Sequence, residues 1–193
     1  MKKLINIVLF MSLSIVADNE ISVTQSGNSA TIDLEQQGGS NLIGGTSAET
    51  GSMTALDLDG VSMILDINQI GASNVFRSDA IDGDNFTGFF EFTGDSNVFD
   101  ILMDSTGLID SDYINMNINV TGSSNTFDLA VAEDDDASYL DLDWIITGGS
   151  NAFDFDIDYA NAINYVDVNG SSNTINFSGS GYAGTTSSDS GYF

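Results

Sequence analysis

The chain of 193 residues sets 29 acidic side chains against three basic ones, a formal charge of −26, and has no cysteine, histidine or proline. Those absences exclude a disulfide framework, thiolate or histidine zinc sites, and nucleophiles built on Ser–His or Cys–His pairs. The charge repels nucleic acid and anionic lipid, yet an apolar content of 41% is enough for a packed core.

Lys2 and Lys3 open the chain, followed by an apolar run from Leu4 to Val16 with no acidic residue and then Ala17. This charged, apolar, small-residue layout predicts a signal peptide over 1–17, cleaved after Ala17, and a secreted, extracellular, cell-surface-associated product. The run is short for a membrane span, and no later one is long enough. Its removal leaves Arg77 against 29 acidic residues, hence a charge of −28, which suits a saline or divalent-rich medium that screens self-repulsion.

From residue 18 onward the organising feature is Gly-x-Ser-Asn. It occurs six times, as Gly38, Ser40 and Asn41; Gly71, Ser73 and Asn74; Gly94, Ser96 and Asn97; Gly122, Ser124 and Asn125; Gly148, Ser150 and Asn151; and Gly170, Ser172 and Asn173. Four residues before each glycine stand Leu34, Ile67, Phe90, Ile118, Trp144 and Val166. Five after it stand Ile43, Phe76, Phe99, Phe127, Phe153 and Ile175. Columns that stay apolar with polar residues between them describe strand–turn–strand units with one buried face. Glycine reaches positive φ without steric cost, and Ser and Asn side chains satisfy backbone groups that a bend leaves unpaired. Independent hairpins in an antiparallel sheet are the competing reading, but hairpin turns prefer Asn-Gly and do not require one residue per column.

The expectation is an all-β, parallel, flattened two-sheet β-solenoid over 18–177, with six or seven rungs and the Asn amides donating from rung to rung. The segment 44–60 reads as a loop or irregular rung. The connection opposite the constant corner varies in length: Arg77 to Thr87, Asp104 to Asp112, Ala132 to Ser138, Asp158 to Asn161. The stretch 178–193 is Gly/Ser/Thr-rich and reads as a flexible tail, whose aromatic terminus offers docking on the last rung or on a partner as the alternative.

The early repeats carry glutamine as well: Gln25-Ser26-Gly27-Asn28, Gln36-Gln37-Gly38 with Asn41, and Gln69-Ile70-Gly71 with Asn74. This Gln–Gly–Asn pattern resembles the curlin repeat of bacterial curli fibres. It covers roughly the first third of the chain; from Gly94 onward only Gly–Asn persists, with Phe92, Val120, Ile146 and Val168 at the Gln position. The resemblance implies a secreted subunit that stacks Gln25, Gln36 and Gln69 in ladders and assembles with copies of itself into an amyloid fibre on the cell surface.

One outward column runs Gly44, Arg77, Asp100, Asp128, Asp154, Asn176. Stacked carboxylates repel, and hard-oxygen ligands suit calcium, so Asp100, Asp128 and Asp154, together with Asp156 and Asp158 on the same strand face, are candidate Ca²⁺ ligands. Asp134-Asp135-Asp136 cluster in a loop; none of these groups matches a calcium-loop motif, and a solvated acidic face is the plainer reading. Trp144 sits in an inward column and reads as core. No acid pair stands out among 29, so no enzyme is expected. Two function classes follow: a structural subunit of an extracellular fibre or matrix in surface adhesion and biofilm, or a non-fibrillar acidic β-solenoid adhesin, a phage or cell-surface appendage module, binding a glycan or receptor.

Overall fold

The structure, a computed structural model, describes residues 6–10, 20–44, 56–103, 112–131, 139–158 and 163–180. Its strands are β1 (Asn6–Phe10), β2 (Glu20–Ile21), β3 (Thr24–Ser26), β4 (Thr31–Gln37), β5 (Leu42–Ile43), β6 (Leu56–Asp59), β7 (Ile64–Ile70) and β8 (Val75–Asp82). Then follow β9 (Thr87–Thr93), β10 (Val98–Met103), β11 (Ile114–Thr121), β12 (Thr126–Val131), β13 (Leu140–Thr147), β14 (Ala152–Asp158), β15 (Ile163–Asn169) and β16 (Thr174–Ser180). Every strand pairing is parallel, and no helix occurs among the described residues.

Alternate strands go to alternate sheets. One sheet runs β1-β4-β7-β9-β11-β13-β15 and the other β16-β14-β12-β10-β8-β5-β2, with β3 and β6 paired to each other and β6 to the far half of β8. Consecutive strands on opposite sheets, each paired to its equivalent one repeat away, make a parallel β-solenoid. The coils number about five turns, not six or seven, because six corner glycines bound five complete periods.

Alternation within each strand builds the core. Leu34, Ile67, Phe90, Ile118 and Trp144 are buried on one sheet and face Ile43, Phe76, Phe99, Phe127 and Phe153 on the other. Aromatic rings cross the interior in a chain: Phe92 on Phe99 at 3.8 Å, Phe99 on Phe127 at 4.8 Å, and Trp144 edge-on to Phe127 at 4.4 Å and to Phe155 at 4.1 Å. Such pairs add roughly 0.5–1.5 kcal/mol each beyond their area burial. The expectation that Trp144 is core holds.

Several expectations need correction. In 44–60, Leu56–Asp59 is regular strand, paired to β3 and, across a register shift, to β8; residues 45–55 lie outside the described residues. The connection read from Arg77 to Thr87 is mostly strand, since β8 continues to Asp82. Likewise the tail does not begin at Ser178: Asp156 pairs with Ser178, Ile157 with Gly179 and Asp158 with Ser180. The leader expected over residues 1–17 is not among these corrections; in the full chain Asn6–Phe10 pairs in parallel with Thr31–Glu35.

The corner is where stacking is tightest. A Cβ placed on Gly71, Gly94, Gly122, Gly148 or Gly170 would collide with the backbone carbonyl of the corner glycine one rung earlier. Gly122 also has a φ of 145°, which L side chains rarely adopt. Replacing Gly122 by Ala should therefore push two rungs apart and destabilise the fold by at least about 2 kcal/mol, read as a lower denaturation midpoint in urea.

Candidate functional surfaces

The constant corner is a hydrogen-bonded ladder. The backbone N–H of Asn41 donates to Oδ1 of Asn74 at 3.0 Å, Asn74 to Asn97 at 2.8 Å, Asn97 to Asn125 at 2.9 Å, Asn125 to Asn151 at 2.9 Å and Asn151 to Asn173 at 3.0 Å. Each asparagine thus supplies an acceptor to the rung before it; the donor is a backbone N–H, not the amide-to-amide contact expected. The amide Nδ2 of Asn151 and of Asn173 donates to the carbonyl of Gly122 and of Gly148. Ser40, Ser73, Ser96, Ser124, Ser150 and Ser172 all take the left-handed conformation, with φ between 59° and 61°. Their N–H groups at Ser40, Ser73, Ser96, Ser124 and Ser150 bond to the next rung's corner, and N–H of Ser123 bonds to Oδ1 of Asp95 at 2.6 Å.

The glutamines do not form one file. Gln36 and Gln69 are buried side by side, Nε2 of Gln69 donating to Oε1 of Gln36 at 2.8 Å and to the carbonyl of Val75 at 3.4 Å, so this pair also ties the two sheets together. Gln25 lies on β3, in register with Leu58, and its amide contacts its own neighbour Ser26. It belongs to the opposite corner.

That second corner escaped sequence reasoning. Its left-handed positions are Ser29, Ser62, Asn85, Tyr113 and Tyr139, each eleven residues before the corresponding serine of the first corner. Gly27, Gly60 and Gly83 repeat the spacing of Gly38, Gly71 and Gly94 and were the available signal. At its far end Tyr113 and Tyr139 stack with ring centroids 4.7 Å apart and planes 3° from parallel, while 54% and 50% exposed.

The acidic column is present as a file: Arg77, Asp100, Asp128, Asp154 and Asn176 occupy one register line across β8, β10, β12, β14 and β16. Nε of Arg77 lies 3.7 Å from Oδ2 of Asp100. The carboxylates are spread along the stack instead of converging, and no group of three or more metal-ligating side chains forms among the described residues. The calcium site expected from Asp100, Asp128, Asp154, Asp156 and Asp158 is therefore not assembled by the side chains described; that of Asp158 lies outside them, as do Asp134, Asp135 and Asp136.

Burial, then the neighbouring Asp100, Asp154 and Asp156, raises the Asp128 carboxyl above its ordinary value. Burial likewise raises Asp100, against an opposing pull from Arg77, and burial with Asp33 and Glu91 raises Asp66 on the other sheet. A carboxyl with a raised folded pKa favours the fold when protonated. Its contribution is complete below the unfolded value and lost as pH rises through the folded one.

At the C-terminal end the pattern stops. Val166 and Ile175, in columns buried in every earlier rung, are 37% and 39% exposed. The corner N–H groups of Gly170, Ser172 and Asn173, whose equivalents at Gly148, Ser150 and Asn151 bond to the next rung, have no such partner among the described residues. Both amide atoms of Asn164 are shielded from solvent and lack a hydrogen-bond partner there.

Two outcomes follow. The melting temperature should rise as pH is lowered from 7 toward the ordinary carboxylate range, through the raised folded values of Asp128, Asp100 and Asp66, and Asp128→Asn should raise it at pH 7 and reduce that slope. Asn125→Ala, which strips the acceptor from the buried N–H of Asn97, should cost about 1–3 kcal/mol in a urea titration.

No family model, curated protein or solved structure matches the chain. What the molecule shows of itself is the fold, a repeat β-solenoid, which is an architecture typical of structural repeat proteins.

Proposed function

We propose that the chain is a secreted, curlin-like structural subunit that adds end to end to copies of itself, forming an extracellular amyloid-type fibre or matrix in surface adhesion and biofilm. The observation that carries this reading is the C-terminal rung, a parallel edge beyond which no further strand pairs among the described residues, with the inward side chains of Val166 and Ile175 partly exposed. Sheet edges of that kind template the addition of further strands. The Gln36–Gln69 pair and the asparagine file supply the register that such addition would propagate, in keeping with the curlin-like motif. Cations enter as screening ions, since a charge of −28 on the processed chain opposes contact between copies.

A second reading is a non-fibrillar acidic adhesin or appendage module that binds a glycan or receptor. One observation favours it: the exposed, coplanar Tyr113–Tyr139 pair is an aromatic surface set on a rigid corner.

The two separate in one experiment. The chain lacking residues 1–17 is followed by thioflavin fluorescence, light scattering and electron microscopy across salt and pH. The fibre reading expects slow growth at low salt and faster growth near 1 M salt, with divalent cations, or near pH 4, where carboxylates lose charge. Persistent monomers under all of these conditions would sink it and favour the adhesin.

A further inference from the structure

We propose that Tyr113 and Tyr139 are a site of oxidative cross-linking, where a one-electron oxidant joins neighbouring rungs through a dityrosine bond. The inference stands on the geometry of the second corner and on neither reading above.

The backbone sets the pair. Tyr113 and Tyr139 immediately precede β11 and β13, whose first residues, Ile114 and Leu140, are in register and buried. The N–H of Ile114 donates to the carbonyl of Tyr139 at 3.0 Å, so the ladder of bonds runs to the foot of both rings. Both tyrosines take the left-handed conformation, with φ of 63° and 67°, and so leave the corner in the same direction. The result is ring centroids 4.7 Å apart and planes 3° from parallel, close to the spacing of the strands beneath.

The corner itself does not require tyrosine. The equivalent positions are Ser29, Ser62 and Asn85, small polar residues that suit such a bend. A bulky residue at positive φ is strained, and strain of this kind collects where a side chain has a role to fill. Core packing is not that role, since the rings are 54% and 50% exposed. What the arrangement keeps is two phenols face to face, touching each other and open to a reagent.

The rest of the molecule offers an oxidant little else. Trp144, Met63, Met103 and Met116 are at most 1% exposed, and the chain has no cysteine. Tyr165 is 56% exposed, but its register partner on β13 is Asp143, not a second tyrosine.

Coupling proceeds in three balanced steps. Each phenol loses the hydrogen of its Oη–H as a proton and an electron, and the unpaired electron spreads to the Cε carbons beside the oxygen-bearing carbon. One Cε of Tyr113 and one of Tyr139 then form a C–C bond, which stacked faces allow because the new bond lies along the ring normal. Each of these carbons releases its hydrogen as a proton while each oxygen takes one up, restoring two phenols. Two electrons and two protons leave in all, which reduces one hydrogen peroxide, activated at a haem, to two waters. The link closes one rung and restricts the unfolded chain as a disulfide would.

The test treats the full-length monomer, at micromolar concentration, with photo-oxidised ruthenium tris-bipyridine and persulfate, a one-electron oxidant that acts both in buffer and in urea. Peptide mapping by mass spectrometry should find Tyr113 and Tyr139 linked within one chain, with two hydrogens lost and dityrosine fluorescence gained. The yield of that link should be at least about tenfold higher in the folded chain than in urea, because only the fold holds the rings together. Tyr113→Phe and Tyr139→Phe, which keep a ring in the stack, should each abolish it, whereas Tyr165→Phe should leave it. The linked chain should also unfold at a higher urea concentration than the unlinked one. Links formed only between chains, or mainly through other tyrosines, overturn the proposal from the unaltered chain alone. Equal yields in buffer and urea, or an unchanged urea midpoint, overturn it as well.

Discussion

The rung spacing of this molecule is set by glycine lying against glycine. At the constant corner each rung's Cα sits so near the carbonyl of the corner glycine before it that no side chain fits between. A parallel sheet needs strands about 4.8 Å apart, and the corners have to close to that distance as well or the sheets splay. The asparagine acceptors and the serines in left-handed conformation are consequences: once the corners touch, their N–H groups point along the stack and need partners one rung away. The interior follows from the same repeat, because equal spacing sets Phe99 on Phe127 and Phe127 above Phe153 without further instruction.

Against this stacking works the charge that the outward columns carry. Parallel in-register strands place like residues above like, which suits glycine, asparagine and phenylalanine but not aspartate. The cost is visible at Asp128, whose neighbours above and below are Asp100 and Asp154. Elsewhere the columns are diluted: Asn117 and Phe89 interrupt the line that begins with Asp33 and Asp66, and Asn68 and Asn119 interrupt the one containing Glu35 and Glu91. The outer faces thus keep the chain strongly acidic while seldom stacking three carboxylates in succession.

Much of this was legible before any coordinates. Six copies of one turn, flanked by columns that stay apolar, already demanded that equivalent residues lie above one another, and the files of Phe76, Phe99, Phe127 and Phe153 and of Asn74, Asn97, Asn125 and Asn151 are that demand met. The second corner was not legible, for a physical reason. Its left-handed position is filled in turn by Ser29, Ser62, Asn85, Tyr113 and Tyr139, so conformation repeats where residue identity does not. Only Gly27, Gly60 and Gly83 mark it, and the mark ends there. Gln25 was misplaced for a related reason: Gln-x-Gly-Asn fits either corner of a two-cornered coil, and only the register of β3 against β6 decides which. The carboxylate column shows the opposite failure, since spacing put Asp100, Asp128 and Asp154 in one line correctly but said nothing about whether they converge.

The corner ladder has a direction, and that direction makes the two ends of the molecule chemically unlike. Each asparagine gives its Oδ1 to the rung before it and receives an acceptor from the rung after. The last rung has already given the Oδ1 of Asn173 to Asn151, so the corner presents outward the N–H groups of Gly170, Ser172 and Asn173 beside one backbone acceptor, the carbonyl of Asn173, whose equivalents at Asn125 and Asn151 accept from the following rung. A strand arriving there must bring acceptors to that corner and apolar surface to Val166 and Ile175. A second copy arriving with its own C-terminal end foremost brings donors to donors and repeats the mismatch. Growth by stacking, if it occurs, is therefore polar, with one end adding to the other kind of end.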